Sequence, residues 1–121
     1  MALSVHGFLN ARLFTDIIAD ASPEQNLTSG AGTAFGFEAD NSQNVVPVYL
    51  KFYNSISVSV GTDAPTWVFM IPAGEVRKGC FNSRGLGRVF ATCVSLCCVT
   101  TGGTGGNTSP TNPVKVSLAT N

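Results

Sequence analysis

The sequence predicts an all-β protein, an antiparallel β-sandwich with an N-terminal arm. Apolar and polar residues alternate through several short segments, clusters of turn-forming residues separate them, and no segment has a convincing helical period. A jelly-roll and an immunoglobulin-like strand order both fit this pattern. We therefore expect a flexible arm at residues 1–8 and a single sandwich domain at residues 9–121.

Residues 9–18 are predicted to form the first strand. The β-branched pair Ile17 and Ile18 favours a strand. A short helix is the alternative, because Leu9 and Leu13 share helical spacing with Ile17.

The second and third strands are predicted at residues 33–39 and 45–53. The polar residues 40–44 join them, and we expect the two strands to pair as an antiparallel hairpin. The inward face of the second strand is expected to carry Thr33, Phe35, Phe37 and Ala39. In the third strand, the residues expected to point inward are Val48, Leu50 and Phe52, with Tyr49, Lys51 and Tyr53 on the opposite face.

The remaining elements follow from the same alternation. In the next predicted strand, Trp67, Phe69 and Ile71 alternate with Val68 and Met70. Residues 56–60 also alternate and are interpreted as a connector that could form an extended edge segment. Further predictions are a loop with at most a short strand at 75–87, one long strand at 89–99, a loop at 100–113 and a final strand at 114–118.

One hydrophobic core is expected between the two sheets. Its predicted members are Phe35, Phe37, Val48, Leu50, Phe52, Trp67, Phe69, Ile71, Phe90, Val94, Leu96, Val114, Val116 and Leu118. Burial of each large side chain contributes about 1.5–3 kcal/mol, so this core needs neither a metal nor a disulfide.

Several short motifs occur in a recognisable order. Residues 49–54 read Tyr-Leu-Lys-Phe-Tyr-Asn, residues 61–65 read Gly-Thr-Asp-Ala-Pro, residues 72–74 read Pro-Ala-Gly, and a Gly-Leu-Gly-Arg-Val-Phe-Ala-Thr run follows at 85–92. This order resembles a family of small tailed-bacteriophage proteins, most of which are virion structural or hypothetical proteins. The resemblance extends over about residues 26–118 and implies a virion component. It transfers no active-site residue.

Charged residues are scarce and unevenly placed. Only 12% of the residues are charged, 44% are hydrophobic and the formal net charge is zero, so no global field attracts nucleic acid or anionic lipid. A neutral polar surface and a surface covered by other subunits both explain this composition, and the resemblance favours the second. Residues 1–60 hold five acids and two bases, and residues 61–121 hold two acids and five bases.

The beginning of the chain does not have the pattern of a secretory signal. It has no basic region before an apolar run, and no apolar span of membrane length occurs in the sequence. We expect a soluble protein made in a host cytoplasm. The four cysteines are accordingly expected to be free thiols, since they lack the spaced pairs of a disulfide framework.

No catalytic or metal-binding constellation is predicted. His6 is the only histidine and lies in the predicted arm. Cys93 and Cys97, if they share a strand, are about 13 Å apart and too distant for one zinc ion. Asp40 and Asp63 lie in turn contexts, where aspartate bonds the nearby backbone. We therefore expect no enzyme activity, no cofactor and no metal.

Besides the N-terminal arm, two segments are predicted to contact other proteins. One is the basic run formed by Arg77, Lys78, Arg84 and Arg88, which has Phe81 as its only nearby aromatic residue. It is therefore interpreted as a solvated or interface surface rather than a nucleic-acid site. The other is the glycine-rich stretch 102–106, which lacks the Lys-Ser/Thr ending of a phosphate-binding loop and is interpreted as a flexible surface loop.

The predicted function is that of a non-enzymatic phage virion structural protein, a capsid cement or decoration protein that bridges capsomers. Expected partners are the major capsid protein or other virion proteins and further copies of the chain, for example in a trimer, with no nucleic acid or membrane. The candidate contact residues are Leu3, Val5, Phe8, Arg77, Lys78, Arg84, Arg88, Gly102, Gly103, Gly105 and Gly106. The alternative is a tail fibre or spike module that binds a receptor or glycan through Tyr49, Tyr53 and Trp67.

Overall fold

The computed structural model describes residues 12–81 and 87–121, and the predicted arm lies outside this part of the chain. The described residues contain eight strands and no helix. The strands are β1 (Arg12–Ala19), β2 (Gly32–Asp40), β3 (Val48–Tyr53), β4 (Trp67–Ile71), β5 (Val76–Cys80), β6 (Arg88–Phe90), β7 (Ser95–Val99) and β8 (Val114–Thr120).

The strands form two antiparallel sheets. The larger sheet has the order β1-β8-β2-β5, with β6 also paired to β2, and the smaller sheet has the order β4-β3-β7. Next to β7, Glu24 extends the smaller sheet through two backbone hydrogen bonds with Leu96, at 2.8 and 2.9 Å. With this segment as a short fourth member, the two sheets have the strand order of a jelly roll. The predicted antiparallel sandwich is confirmed.

The predicted hairpin between the second and third strands is wrong. β2 pairs with β5, β6 and β8, whereas β3 pairs with β4 and β7 in the other sheet. The chain crosses between the sheets after Asp40, where the buried Asn41 donates from Nδ2 to the carbonyl oxygens of Val46, Ile71 and Pro72 at 3.0–3.3 Å. The Asn41 side chain fixes the connection between the two sheets. The polar segment that resembled a hairpin turn therefore joins strands on opposite sides of the core.

The predicted long strand at residues 89–99 is also wrong. It consists of β6 and β7, which lie in different sheets. Asn54 Oδ1 accepts a hydrogen bond from the Thr92 amide at 2.8 Å, and Thr28 Oγ1 accepts one from the Val94 amide at 3.0 Å. Hydrogen bonds to residues distant in sequence thus fix the segment between β6 and β7. The region before β6, which was predicted mainly as loop, contains β5. Residues 56–60 form an irregular connector and turn rather than an edge strand.

One predicted core residue, Phe35, is only partly buried because β2 has an irregular register. The pairing of β2 with β8 shifts between Ala34 and Gly36, so Ala34, Phe37 and Ala39 are the buried hydrophobic residues of this strand. Thr33 is likewise only partly buried. A prediction from simple alternation fails here, because one extra residue in β2 moves the side chains before it to the opposite face of the sheet.

Aromatic rings form the centre of the core. Phe52 lies 4.9 Å from Phe81, 5.9 Å from Phe37 and 6.0 Å from Phe69, measured between ring centroids. Phe81 was not predicted as a core residue but is buried. Trp67 and Phe69, predicted as core, are partly buried and pack against it. The other predicted core residues are buried, namely Phe37, Val48, Leu50, Phe52, Ile71, Phe90, Val94, Leu96, Val114, Val116 and Leu118.

Replacement of Phe52 by alanine is expected to lower the free energy of unfolding by about 3–5 kcal/mol, because it leaves a cavity among three rings that cannot collapse easily. Urea unfolding followed by tryptophan fluorescence measures the change. The matched control is Val89→Ala at a side chain that is 69% exposed, with an expected effect within about 0.5 kcal/mol. Equal losses in the two variants would contradict the proposed core.

Candidate contact surfaces

The basic residues that the structure describes lie on strands rather than in a loop. Arg77 and Lys78 belong to β5 and Arg88 to β6, along the edge of the larger sheet, while Arg84 lies outside the described residues. Arg77 pairs with Glu75 at 2.6 Å, and Lys78 Nζ lies 3.7 Å from a carboxylate oxygen of Glu38. The edge is therefore charged but largely neutralised.

Arg88 has a different partner. Its guanidinium carbon lies 5.2 Å from the centre of the Trp67 ring, in cation–π geometry. The ring of Trp67 also stacks on Phe69, with 5.7 Å between centroids and 12° between planes. Arg88 thus helps to close the end of the sandwich near β4.

The glycine-rich loop covers a buried lysine. Lys51 was predicted on the solvent face of β3, yet its exposed fraction is 0%. Its Nζ donates to the carbonyl oxygens of Gly103 at 2.6 Å and Gly106 at 3.1 Å. Among the described residues no carboxylate lies within salt-bridge distance of this group. Two backbone carbonyl oxygens of the loop therefore satisfy the buried Lys51 nitrogen. The same hydrogen bonds fix the loop against the sheet.

Two glycines of this loop are required by close contacts. A Cβ atom at Gly102 would lie 2.9 Å from ring carbons of Tyr49, and one at Gly106 would lie 2.5 Å from the carbonyl oxygen of Thr101. Gly103 and Gly105 have open space at the corresponding position. The loop is thus held against the sheet at two points, with its outer glycines toward solvent, and it is not the free loop that the sequence suggested.

The outer face of the smaller sheet carries its own apolar cluster. It consists of Tyr53, Val58, Cys97 and Val99, with Ala21, Tyr49 and Val60 packed against it. The Tyr53 hydroxyl lies 3.7 Å from Cys97 Sγ, and burial raises the pKa of both groups. Burial, followed by the nearby Cys97 and Asp20, raises the pKa of Cys98 to about 12. These groups are therefore protonated at neutral pH.

The three aromatic residues proposed for receptor or glycan binding are engaged within the fold. Tyr53 is buried, Tyr49 lies under Gly102, and Trp67 lies against Phe69 and Arg88. A glycan site needs an aromatic face free to stack. The arrangement favours the packing interpretation of all three.

The remaining apolar surface lies mainly on the edge strands. The exposed large hydrophobic side chains are Leu13, Ile17, Ile18, Val45, Val46, Ile56, Val68, Met70, Val76 and Val89. Sequence reasoning did not select any of them as a contact residue. The low content of charged residues was the sequence feature that pointed to such a surface. It indicates that the chain associates with protein, but it does not identify the contact residues.

A crevice opens between the sheets next to β1. It encloses about 370 Å³, including space open to solvent, and is lined by Phe14, Thr15, Asp16, Glu24, Leu27, Leu96, Val116 and Leu118. Partial burial, together with the charges of Asp16 and Asp20, raises the pKa of Glu24 above its ordinary value of 4.5. The crevice is apolar inside and acidic at its mouth.

The cysteines are free thiols in the structure, as predicted. Cys80 is exposed, and Cys93, Cys97 and Cys98 are buried. Cys93 precedes β7 rather than lying in a strand with Cys97, so the spacing argument against zinc had the wrong geometry. Within residues 12–81 and 87–121, no three His, Cys, Asp or Glu side chains are grouped to hold a metal ion. The same part of the chain has no helix that could span a membrane.

Comparisons with known proteins give only remote structural likenesses. No protein-family model matches the chain, and no curated protein matches it in sequence. A chain from the structural work on Bacillus endospore appendages, a family of disulfide-linked pili, is 12% identical with a TM-score of 0.41, over 90% of this chain and 82% of that one. A chain of infectious bursal disease virus, Gx strain, is 18% identical with a TM-score of 0.32, over 91% of this chain and 32% of the viral chain. The chain thus spans about a third of the viral chain.

Replacement of Lys51 by methionine is expected to release the glycine-rich loop, because the carbonyl oxygens of Gly103 and Gly106 lose their hydrogen-bond donor. Amide hydrogen exchange at Gly106, which bonds the Gly103 carbonyl oxygen, should accelerate about tenfold or more, which corresponds to about 1.4 kcal/mol or more. Exchange is read by NMR against Lys115→Met, a control at an exposed lysine that should leave the loop unchanged. Unchanged exchange in Lys51→Met would refute the loop-holding role of this lysine.

One of the four thiols is expected to react rapidly with Ellman's reagent at pH 8 in the folded protein. Cys80 is exposed, whereas burial protects the other three and raises the pKa values of Cys97 and Cys98. Cys80→Ser should abolish the fast phase, and denaturant should then reveal three thiols. A second fast thiol in the native protein would contradict the described burial of Cys93, Cys97 and Cys98.

Proposed function

We propose that this chain is a non-enzymatic structural subunit of a bacteriophage virion, a cement or decoration protein that binds the capsid and bridges capsomers. The observation that carries the proposal is the exposure of large apolar side chains along the sheet edges of a chain with only 12% charged residues. Such surfaces favour association with protein rather than free existence in solution.

The placement of the apolar surface supports contact through edges. The chain's own loop and second cluster cover the outer face of the smaller sheet. Edge side chains such as Leu13, 72% exposed, and Met70, 54% exposed, have no such cover in the described structure. A rigid sandwich with apolar edges adds buried area at each capsomer boundary, and many copies multiply a modest affinity.

The phage assignment rests on the sequence resemblance alone. It carries with it the proposed partners, namely the major capsid protein or other virion proteins, and the proposed site of synthesis in a host cytoplasm. The arm residues Leu3, Val5 and Phe8 remain contact candidates.

The polar groups of the fold support a structural role. Asp40 Oδ1 accepts a hydrogen bond from the Ser42 amide at 2.9 Å, and Asp63 Oδ2 accepts one from the Ser59 amide at 2.8 Å. Both carboxylates therefore hold turns, as expected from the sequence. The basic residues Arg77, Lys78 and Arg88 have partners within the chain, which weakens the case for a nucleic-acid contact.

Purified protein is expected to co-sediment with phage capsids that lack it, in many copies per shell, and to raise their disruption temperature. Cryo-electron microscopy of the decorated particle counts and locates the copies. Deletion of residues 1–8, the double variant Arg77→Glu/Lys78→Glu and, as a control on β8 two strands away from β5, Lys115→Glu test the contacts. If the double variant lowers affinity about tenfold and Lys115→Glu does not, the β5 edge is part of the interface.

A few copies at the tail in place of many on the shell would overturn the cement role. Unchanged binding after deletion of residues 1–8 would remove the arm from the contact candidates.

A further inference from the structure

In the part of the chain that the structure describes, the two sheets have four edges, and three of them carry charge. β1 carries Arg12 and Asp16, the edge formed by β5 and β6 carries three basic residues, and the segment beyond β7 contains Glu24. Charged side chains on an edge strand discourage pairing with another sheet, because pairing would strip water from them. β4, with the sequence Trp-Val-Phe-Met-Ile, is the uncharged edge.

β1 has a further obstacle to pairing. Its register against β8 shifts between Asp16 and Ala19, and the Ile18 amide is bonded to Asp16 Oδ1 at 3.0 Å. An irregular strand with an occupied amide is a poor template for a regular ladder. β4, in contrast, pairs with β3 in continuous register from Trp67 to Ile71.

The outer face of β4 lies where the cover of the smaller sheet ends. Met70 is paired with Tyr49, and Val68 is paired with Lys51, so these four side chains share one face. The glycine-rich loop contacts Tyr49 and Lys51. Val68 and Met70 continue the same face but are 39% and 54% exposed. The apolar layer is thus open at the edge of the sheet.

We propose that β4 pairs with β4 of a second copy of this chain, antiparallel and about a two-fold axis at Phe69. In this register Val68 faces the partner's Met70 and Met70 faces the partner's Val68, while Phe69 faces the partner's Phe69. The two exposed apolar side chains then cover each other, and the smaller sheets of the two copies join into one continuous sheet.

A second β4 fits this edge better than the other edges of the chain. Pairing with the β5 edge would bring Arg77 and Lys78 beside an apolar strand without acidic residues, and the edge would lose water without gaining ion pairs. The isologous arrangement buries no charged side chain of either strand. Its self-complementary pattern, apolar at both outward positions, requires no second protein.

The contact extends past the strand but remains small. Val46, 43% exposed, lies beside the end of β4, since Asn41 Nδ2 bonds the carbonyl oxygens of both Val46 and Ile71. A five-residue edge with this extension buries less than the roughly 1,200–2,000 Å² of a typical stable interface. We therefore expect a weak dimer in solution that an assembly with many copies would strengthen.

Sedimentation velocity of the full chain is expected to show a monomer–dimer equilibrium as concentration rises toward about 1 mM. Met70→Lys should weaken dimerisation about tenfold or more, since it places a cation opposite the partner's Val68. Leu13→Lys on β1 and Val89→Lys on β6 are matched controls at exposed apolar positions and should leave dimerisation unchanged. Circular dichroism checks that each variant is folded.

Cross-linking tests the register. Val68→Cys and Met70→Cys are prepared separately with Cys80→Ser, and the mixture is expected to form a disulfide-linked heterodimer faster than either variant forms a homodimer. Equal rates, absence of a dimer up to about 1 mM, or loss of the dimer in Leu13→Lys would each overturn the proposal. None of these measurements involves a capsid, so this inference and the proposed function fail independently.

Discussion

The burial of β3 on both faces is the constraint on which the rest of the structure depends. Its inward residues Val48, Leu50 and Phe52 meet the core, and its outward residue Lys51 is buried as completely. A strand of a half-solvated sheet would leave that lysine in water. The chain instead places backbone carbonyl oxygens of residues 103 and 106 over it. The long loop before β8 is therefore a third layer of the fold.

This third layer determines which surfaces remain for other molecules. The loop and the second apolar cluster cover the outer face of the smaller sheet except at β4, where Val68 and Met70 are exposed. Among the described residues, the surfaces left for association are therefore the sheet edges and the outer face of the larger sheet. Charges on the edges differ, and β4 is the edge without any. The same covering that stabilises β3 thus leaves β4 as an apolar boundary.

The sequence allowed correct prediction of the faces of most strands but not of their partners. The inward faces of β3, β4 and β8 were predicted well because a period of two marks the core-facing residues directly. The burial of Lys51 on the outer face of β3 was not predicted. Alternation says nothing about which sheet a strand joins, so β2 and β3 were wrongly paired. The crossover depends on Asn41, whose three backbone acceptors come from residues 46, 71 and 72. Such contacts exist only after the sheets have formed.

The contact surfaces were harder to predict for a related reason. Positive charges adjacent in sequence indicated a basic surface, yet Arg77 pairs with Glu75 two residues earlier. Folding brings Lys78 near Glu38 and Arg88 near Trp67. The glycine-rich segment was identified as a loop, but its role depends on a lysine about fifty residues earlier. Conversely, Val68 and Met70 carry no local mark of exposure, because an apolar residue on an edge strand reads like one in a core. What separates the two cases is the missing neighbour on one side of β4. The absence of charge on β4 points to a contact only when this edge is compared with the other sheet edges of the described structure.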